Sequence, residues 1–135
     1  MTPTETVQST MPLCATLGIT ASQFEPERVV LHLDWQPGLC TGGGLLHGGA
    51  LMALADSAGG ASAFLNLPEG ASGTSTIESK TNFLGGVREG ASLTATATPL
   101  HLGATTIVVE TELRTAEGKL VAKTTQTQAV LRPRA

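Results

Sequence analysis

From about residue 48 to residue 66 the chain is almost wholly apolar or small, with one carboxylate in it. The run opens as 45-LLHGGALMALADSAGG-60, and Asp56 is its single charge. It is too long for a typical strand and rich in Ala and Leu, so it predicts a helix, ended by Pro68 and Gly70. A helix that is apolar on all sides has to be surrounded. A single antiparallel sheet curled around it meets that need, and leaves a sheet face and edges for a second copy of the chain to cover.

The rest of the sequence supplies such a sheet. In 28-RVVLHLDW-35, Val29, Leu31, Leu33 and Trp35 alternate with Val30, His32 and Asp34. After the helix come 73-GTSTIESKTNFL-84, 91-ASLTATAT-98, 104-ATTIVVETELR-114 and 119-KLVAKTTQTQAVL-131, with a turn at 116-AEG-118. In the third of these, Ile107, Val109 and Leu113 share one side and Glu110 and Glu112 the other. The expected fold class is α+β, a curled antiparallel sheet of five to six strands wrapped around one long apolar helix. Residues 10–17 read as a short helix with Thr10 as cap and Pro12 in its first turn. Residues 1–9 read as loose, leaving 10–135 as one domain.

Composition narrows the functional classes. Only 14% of the 135 residues are charged, which points to covered surface and self-association. The formal charge of −3, with no run of Lys or Arg, argues against a nucleic-acid partner, which would need clustered positive charge. Cys14 and Cys40 have no metal-ligand spacing and read as ordinary reduced residues, so no metal is expected. Residues 45–67 are broken by His47, Asp56, Ser57, Ser62 and Asn66, a poor bilayer span. The first residues, MTPTETVQSTMPLC, lack a basic segment followed by an apolar one, so the expected location is cytoplasmic.

The chemistry gathers at the start of the apolar run. If the helix begins near Gly48, its first N–H groups lack helical partners and carry the positive end of the macrodipole. Such an end suits an oxygen gaining negative charge, such as an ester or thioester carbonyl under attack. Asp56 can supply the complement, as a base for water or as a nucleophile. Gly48 and Asp56 are eight residues apart, about 12 Å along a helix, whereas attack needs roughly 3–3.5 Å. A site using both would take Gly48 from one subunit and Asp56 from another. Plainer roles compete: Asp56 as the N-cap of a second helix starting at Ser57, His47 satisfying loop carbonyls, Gly48 and Gly49 permitting a tight turn.

The pattern HGGxxxxLAD, here 47-HGGALMALAD-56, resembles the hotdog-fold acyl-CoA thioesterases, in the PaaI-like branch typified by phenylacetyl-CoA thioesterase. The stretches 18-GITASQFEPERVVLHLDWQP-37, 76-TIESKTNFL-84 and 103-GATTIVVETELRTAEGKLVAKTTQTQAVL-131 are similar to the family's strands, so the resemblance covers roughly residues 12–131. It implies hydrolysis of an acyl-CoA to free acid and coenzyme A by a homodimer or homotetramer. It needs no cofactor beyond the coenzyme A of the substrate itself. It also implies roles by position. Gly48 N–H polarises the thioester carbonyl, Asp56 of the facing subunit attacks or activates water, and His47 holds the loop. Thr76 assists the water, with Thr74 and Ser75 as alternatives. Gly49, Thr41, Arg88 and Gly103 lie where substrate or coenzyme A would pass. Three departures stand out: Cys40 and Thr41 where many relatives have Asn or Gln, 83-FLGG-86 in place of F-L-R-P, and Gly60 where some place Thr. The resemblance leaves two further readings open, an acyl-thioester dehydratase or hydratase on the same fold, and a non-catalytic acyl-CoA-binding module.

Overall fold

Residues 1–134 are described by a computed structural model. The apolar run forms α3 (Gly48–Leu65), within one residue of its expected end. It follows α1 (Pro3–Thr10), α2 (Pro12–Leu17), β1 (Thr20–Glu25), β2 (Arg28–Asp34) and two single 3-10 turns at 37–39 and 42–44. It precedes β3 (Gly73–Phe83), β4 (Ser92–Leu102), β5 (Thr106–Thr115) and β6 (Leu120–Leu131). The six strands make one sheet, in the order β1-β2-β4-β5-β6-β3, with every neighbouring pair antiparallel.

Alternation decides which strand residues meet the helix. Val29, Leu31 and Leu33 of β2, Leu93, Ala95 and Ala97 of β4, and Ile107, Val109 and Leu113 of β5 are all buried. The pairings Leu31↔Ala95 and Ala95↔Leu113 place them side by side on the concave face. Against them lie Leu51, Leu54, Ala55 and Ala58 of α3. The alanines let the helix sit close to the sheet, so a core poor in aromatics still packs.

The sheet covers only one side of α3. The i, i+4 stripe Met52, Asp56, Gly60, Phe64 faces away from the core, with Met52 40% and Phe64 58% exposed. An apolar helix without a marked stripe gave no sign of which side would stay open. The edge strand β3 is open too: Ile77 and Phe83 are exposed, and Leu84 just beyond it is exposed as well. Among the described residues no helix is long and apolar enough to cross a membrane.

Two expectations at the N-terminus are corrected. Residues 1–9 are not loose, because most of them form α1. Thr2 and Glu5 make a capping box, Pro3 opens the helix, and Val7 is fully buried. Thr10 is not the cap of α2 either. Its hydroxyl donates back to the Thr6 carbonyl at 2.7 Å, and α2 starts from Met11 without a side-chain cap. The packed unit therefore begins near residue 2.

Candidate active site

The first half of the site is the N-terminus of α3. His47 is the N-cap, and its Nδ1 accepts the Gly49 N–H at 2.7 Å. In the neutral ring this places the proton on Nε2. The His47 carbonyl takes the N–H groups of Ala50 and Leu51. The Gly48 N–H is left with no hydrogen-bond partner among the described residues, at the positive end of an 18-residue helix. His47 N–H donates to the Leu39 carbonyl at 2.9 Å, and Leu46 N–H to the Val87 carbonyl at 3.0 Å. These bonds pin the turn to the loop that carries Arg88. A Cβ at Gly48 would meet the Phe83 ring at ordinary contact, 3.4 Å.

The second half lies around Asp56, more than two turns along α3. Asp56 is exposed and in mid-helix, which removes the N-cap alternative. Its Oδ1 accepts from Gln126 Nε2 at 3.2 Å and from the Thr76 hydroxyl at 3.5 Å, the latter a weak contact. Gln128 braces Thr76: its Nε2 donates to Thr76 Oγ1 at 2.7 Å, and its Oε1 accepts from the Thr74 hydroxyl at 3.0 Å. A bulge at residue 77 breaks the regular register directly after Thr76. The other carboxylate oxygen, Oδ2, has no partner among the described residues. Beneath, Ser57 donates to the Ala53 carbonyl. Burial pushes the Cys14 thiol up, with the Ser57 hydroxyl beside it acting in the opposite sense.

Asp56, Thr74, Thr76 and Gln128 line a cleft of about 310 Å³. It adjoins a groove of about 550 Å³ walled by Phe24, Ala61, Phe64 and Leu65, and Met11, Gly60 and Thr74 belong to both. Helix α1, expected to be loose, contributes Thr6 and Thr10 to that wall.

The structure therefore brings Asp56, Thr74 and Thr76 together, and places His47, Gly48, Gly49, Thr41 and Arg88 at the other end of the strands. Ser75 is not part of the cluster: it is exposed and alternates to the opposite face of β3. Thr41 is exposed in the loop before α3, its N–H held by the Leu45 carbonyl. Gly103 spends its N–H on the Thr106 carbonyl and has no room for a side chain. Its hairpin does reach the Asp56 end of the sheet, through the register Thr106↔Ala129↔Ser75. Sequence reasoning missed Gln126 and Gln128. The signal was there: the period of two that buries Ala122 also turns Thr124, Gln126 and Gln128 inward, where polar residues are unusual.

Comparison with known proteins gives the family of the chain. The family model described as Thioesterase superfamily matches residues 43–122, the span that holds both halves of α3's site and Thr76. A thioesterase of Haemophilus influenzae superposes with a TM-score of 0.87 at 30% identity, over 98% of this chain and 92% of that one. The phenylacetic acid degradation protein PaaI of Thermus thermophilus, solved as a mutant, gives 0.82 at 28%, over 89% and 99%. A hypothetical thioesterase of Streptococcus pneumoniae, solved with coenzyme A, gives 0.77 at 26%, over 87% and 88%. The six-stranded antiparallel sheet curled on one long helix is the hotdog fold, and the chain belongs to the thioesterase superfamily, on its PaaI-like branch.

Proposed function

We propose that the protein hydrolyses acyl-CoA thioesters at a site built by two subunits. The observation that carries this reading is the Asp56 carboxylate. One of its oxygens is held by Gln126 and Thr76, the other has no partner among the described residues, and the cleft it lines adjoins an apolar groove. Such a carboxylate is oriented to attack a carbonyl carbon or to take a proton from water. The free Gly48 N–H supplies the donor for the carbonyl oxygen as it gains charge.

Helix geometry joins the halves. Two copies of α3 packed antiparallel about a two-fold axis at Met52 set Gly48 of each opposite Asp56 of the other, since Met52 lies midway between them. Met52 is exposed and apolar, as a residue on such an axis must be. Pairing of the open β3 edges would continue the same interface and cover Ile77 and Phe83.

In the reaction, water or Asp56 adds to the thioester carbon and the carbonyl oxygen takes the Gly48 N–H. Where water attacks, Asp56 takes its proton; the tetrahedral adduct collapses, the C–S bond breaks, and that proton passes to sulfur, so coenzyme A leaves as the thiol. Where Asp56 itself attacks, coenzyme A leaves as the thiolate, and water hydrolyses the resulting anhydride, giving one proton to sulfur and one to solvent. His47, with Nε2–H outward, stands at the entry of the thioester. The Arg88 loop and the hairpin at Gly103 are the segments proposed to flank coenzyme A, and a Streptococcus structural neighbour solved with coenzyme A supports an acyl-CoA as the substrate.

The groove sets an expected preference. Its walls are apolar with three threonines, and among the described residues no charged one lines it. Release of free thiol from a panel of acyl-CoAs is expected to be fastest for aliphatic or aryl groups that fill the groove, and slowest for acetyl and carboxylated acyl groups. Thiol release from no member of the panel would overturn the reading.

A further inference from the structure

We propose that Gln126 is the positioning residue of Asp56, and that residue 59 is glycine so that the Gln126 side chain can cross the helix to reach it. The inference rests on the thioester-hydrolysing reading of Asp56. Three observations converge. Gln126 is fully buried on the inner face of β6, and its Nε2 donates to Asp56 Oδ1 at 3.2 Å. A Cβ built on Gly59 would fall on the Gln126 carboxamide, so the side chain occupies space that any other residue at 59 would fill. The Gln126 Oε1 is buried with no hydrogen-bond partner among the described residues.

The third observation bears on the choice between packing and function. A buried carbonyl oxygen without a donor is costly, and an apolar residue of the same size would avoid it. Turning the amide over would not help, because it would set Oε1 against the Asp56 carboxylate. The chain keeps a glutamine whose oxygen is unsatisfied and whose nitrogen holds a carboxylate. That is a local sacrifice of packing quality, of the kind found where a side chain serves function rather than stability. The bond fixes Oδ1 and turns Oδ2 toward the substrate side. Thr76, at 3.5 Å, is the weaker second support.

The test separates this role from a structural one by the sign of the stability change. In Gln126→Leu, kcat is expected to fall about tenfold to a hundredfold, as misplacement of a reacting group does. KM should stay within about twofold, and Tm should be unchanged or raised because the unsatisfied oxygen is gone. Gly59→Ala, a change that favours helix by itself, is expected to lower kcat similarly with Gln126 still present. Unchanged kcat in both variants, or a loss of kcat that follows a fall in Tm, overturns the proposal. A second readout needs no turnover. The Gln126 side-chain amide proton, assigned in NMR spectra by its disappearance in Gln126→Leu, should move upfield in both Asp56→Ala and Gly59→Ala. If the wild type hydrolyses no acyl-CoA, the function reading falls, and this resonance still decides whether Gln126 holds Asp56: a shift supports it and a fixed position overturns it.

Discussion

Asp56→Asn is expected to lower kcat by about 10²–10⁴-fold, the range for loss of a positioned base, while the protein keeps its fold and oligomer size. Asparagine is nearly isosteric and its carbonyl oxygen can still accept from Gln126 Nε2. What it cannot do is take a proton or attack as a nucleophile. Asp56 is exposed on the open stripe of α3, away from Leu54 and Ala58, so a structural penalty of more than about 0.5 kcal/mol is not expected. Thiol-release kinetics beside size-exclusion and thermal melts check both halves. Retained kcat would remove Asp56 from the chemistry.

Gly48→Pro tests the other half-site, and is expected to cost about 10²–10³-fold in kcat, the typical loss of one oxyanion donor. Proline suits the backbone here. Position 48 is the first residue of α3, where proline is tolerated because its N–H has no helical acceptor. The preceding His47 sits at φ −63° and ψ 136°, the extended region that a residue before proline prefers. The neighbouring Phe83 ring leaves ordinary contact distance for a Cβ. The substitution thus deletes the N–H and sets the ring Cδ in its place, so it removes the donor and the room for the carbonyl oxygen together. A variant with normal melting behaviour and undiminished kcat would show that Gly48 is only a turn residue.

Much of this was readable in the residues, for physical reasons that differ from element to element. Strands β2 and β5 have a period that leaves one face plainly apolar, so their bounds and inner residues fell within a residue or two, and the bounds of α3 followed from the length of its apolar run. Strand β4 runs on to Leu102, past the expected residue 98, because Pro99 and His101 flank a bulge instead of ending the strand. Helix α1 was overlooked because its polar composition masked the Thr2–Glu5 capping box; buried Val7 and the hydrogen bonds of Thr4 to Ala21 and of Gln8 to Ile19 dock it. The carboxylate, the histidine and the glycines of the site stand out because each is odd in its local setting. Gln126 and Gln128 do not stand out, since a Thr/Gln-rich strand looks solvated until the sheet shows which phase faces α3. The open side of α3 was hidden for the opposite reason: an all-apolar helix does not say whether the sheet or a second subunit covers a given face.

The shared site is tested most directly by mixing two inactive proteins. Asp56→Asn subunits keep the Gly48 donor, and Gly48→Pro subunits keep the carboxylate. After dissociation and random reassociation, half of the dimers carry one subunit of each kind, and each such dimer has one complete site of two. Thiol release from the preferred acyl-CoA should recover to about a quarter of the wild-type rate per subunit, as two-fold symmetry requires. A mixture that stays at the level of the two separate variants, with subunit exchange shown to be complete, would mean that Gly48 and Asp56 do not meet across an interface, and would contradict the account.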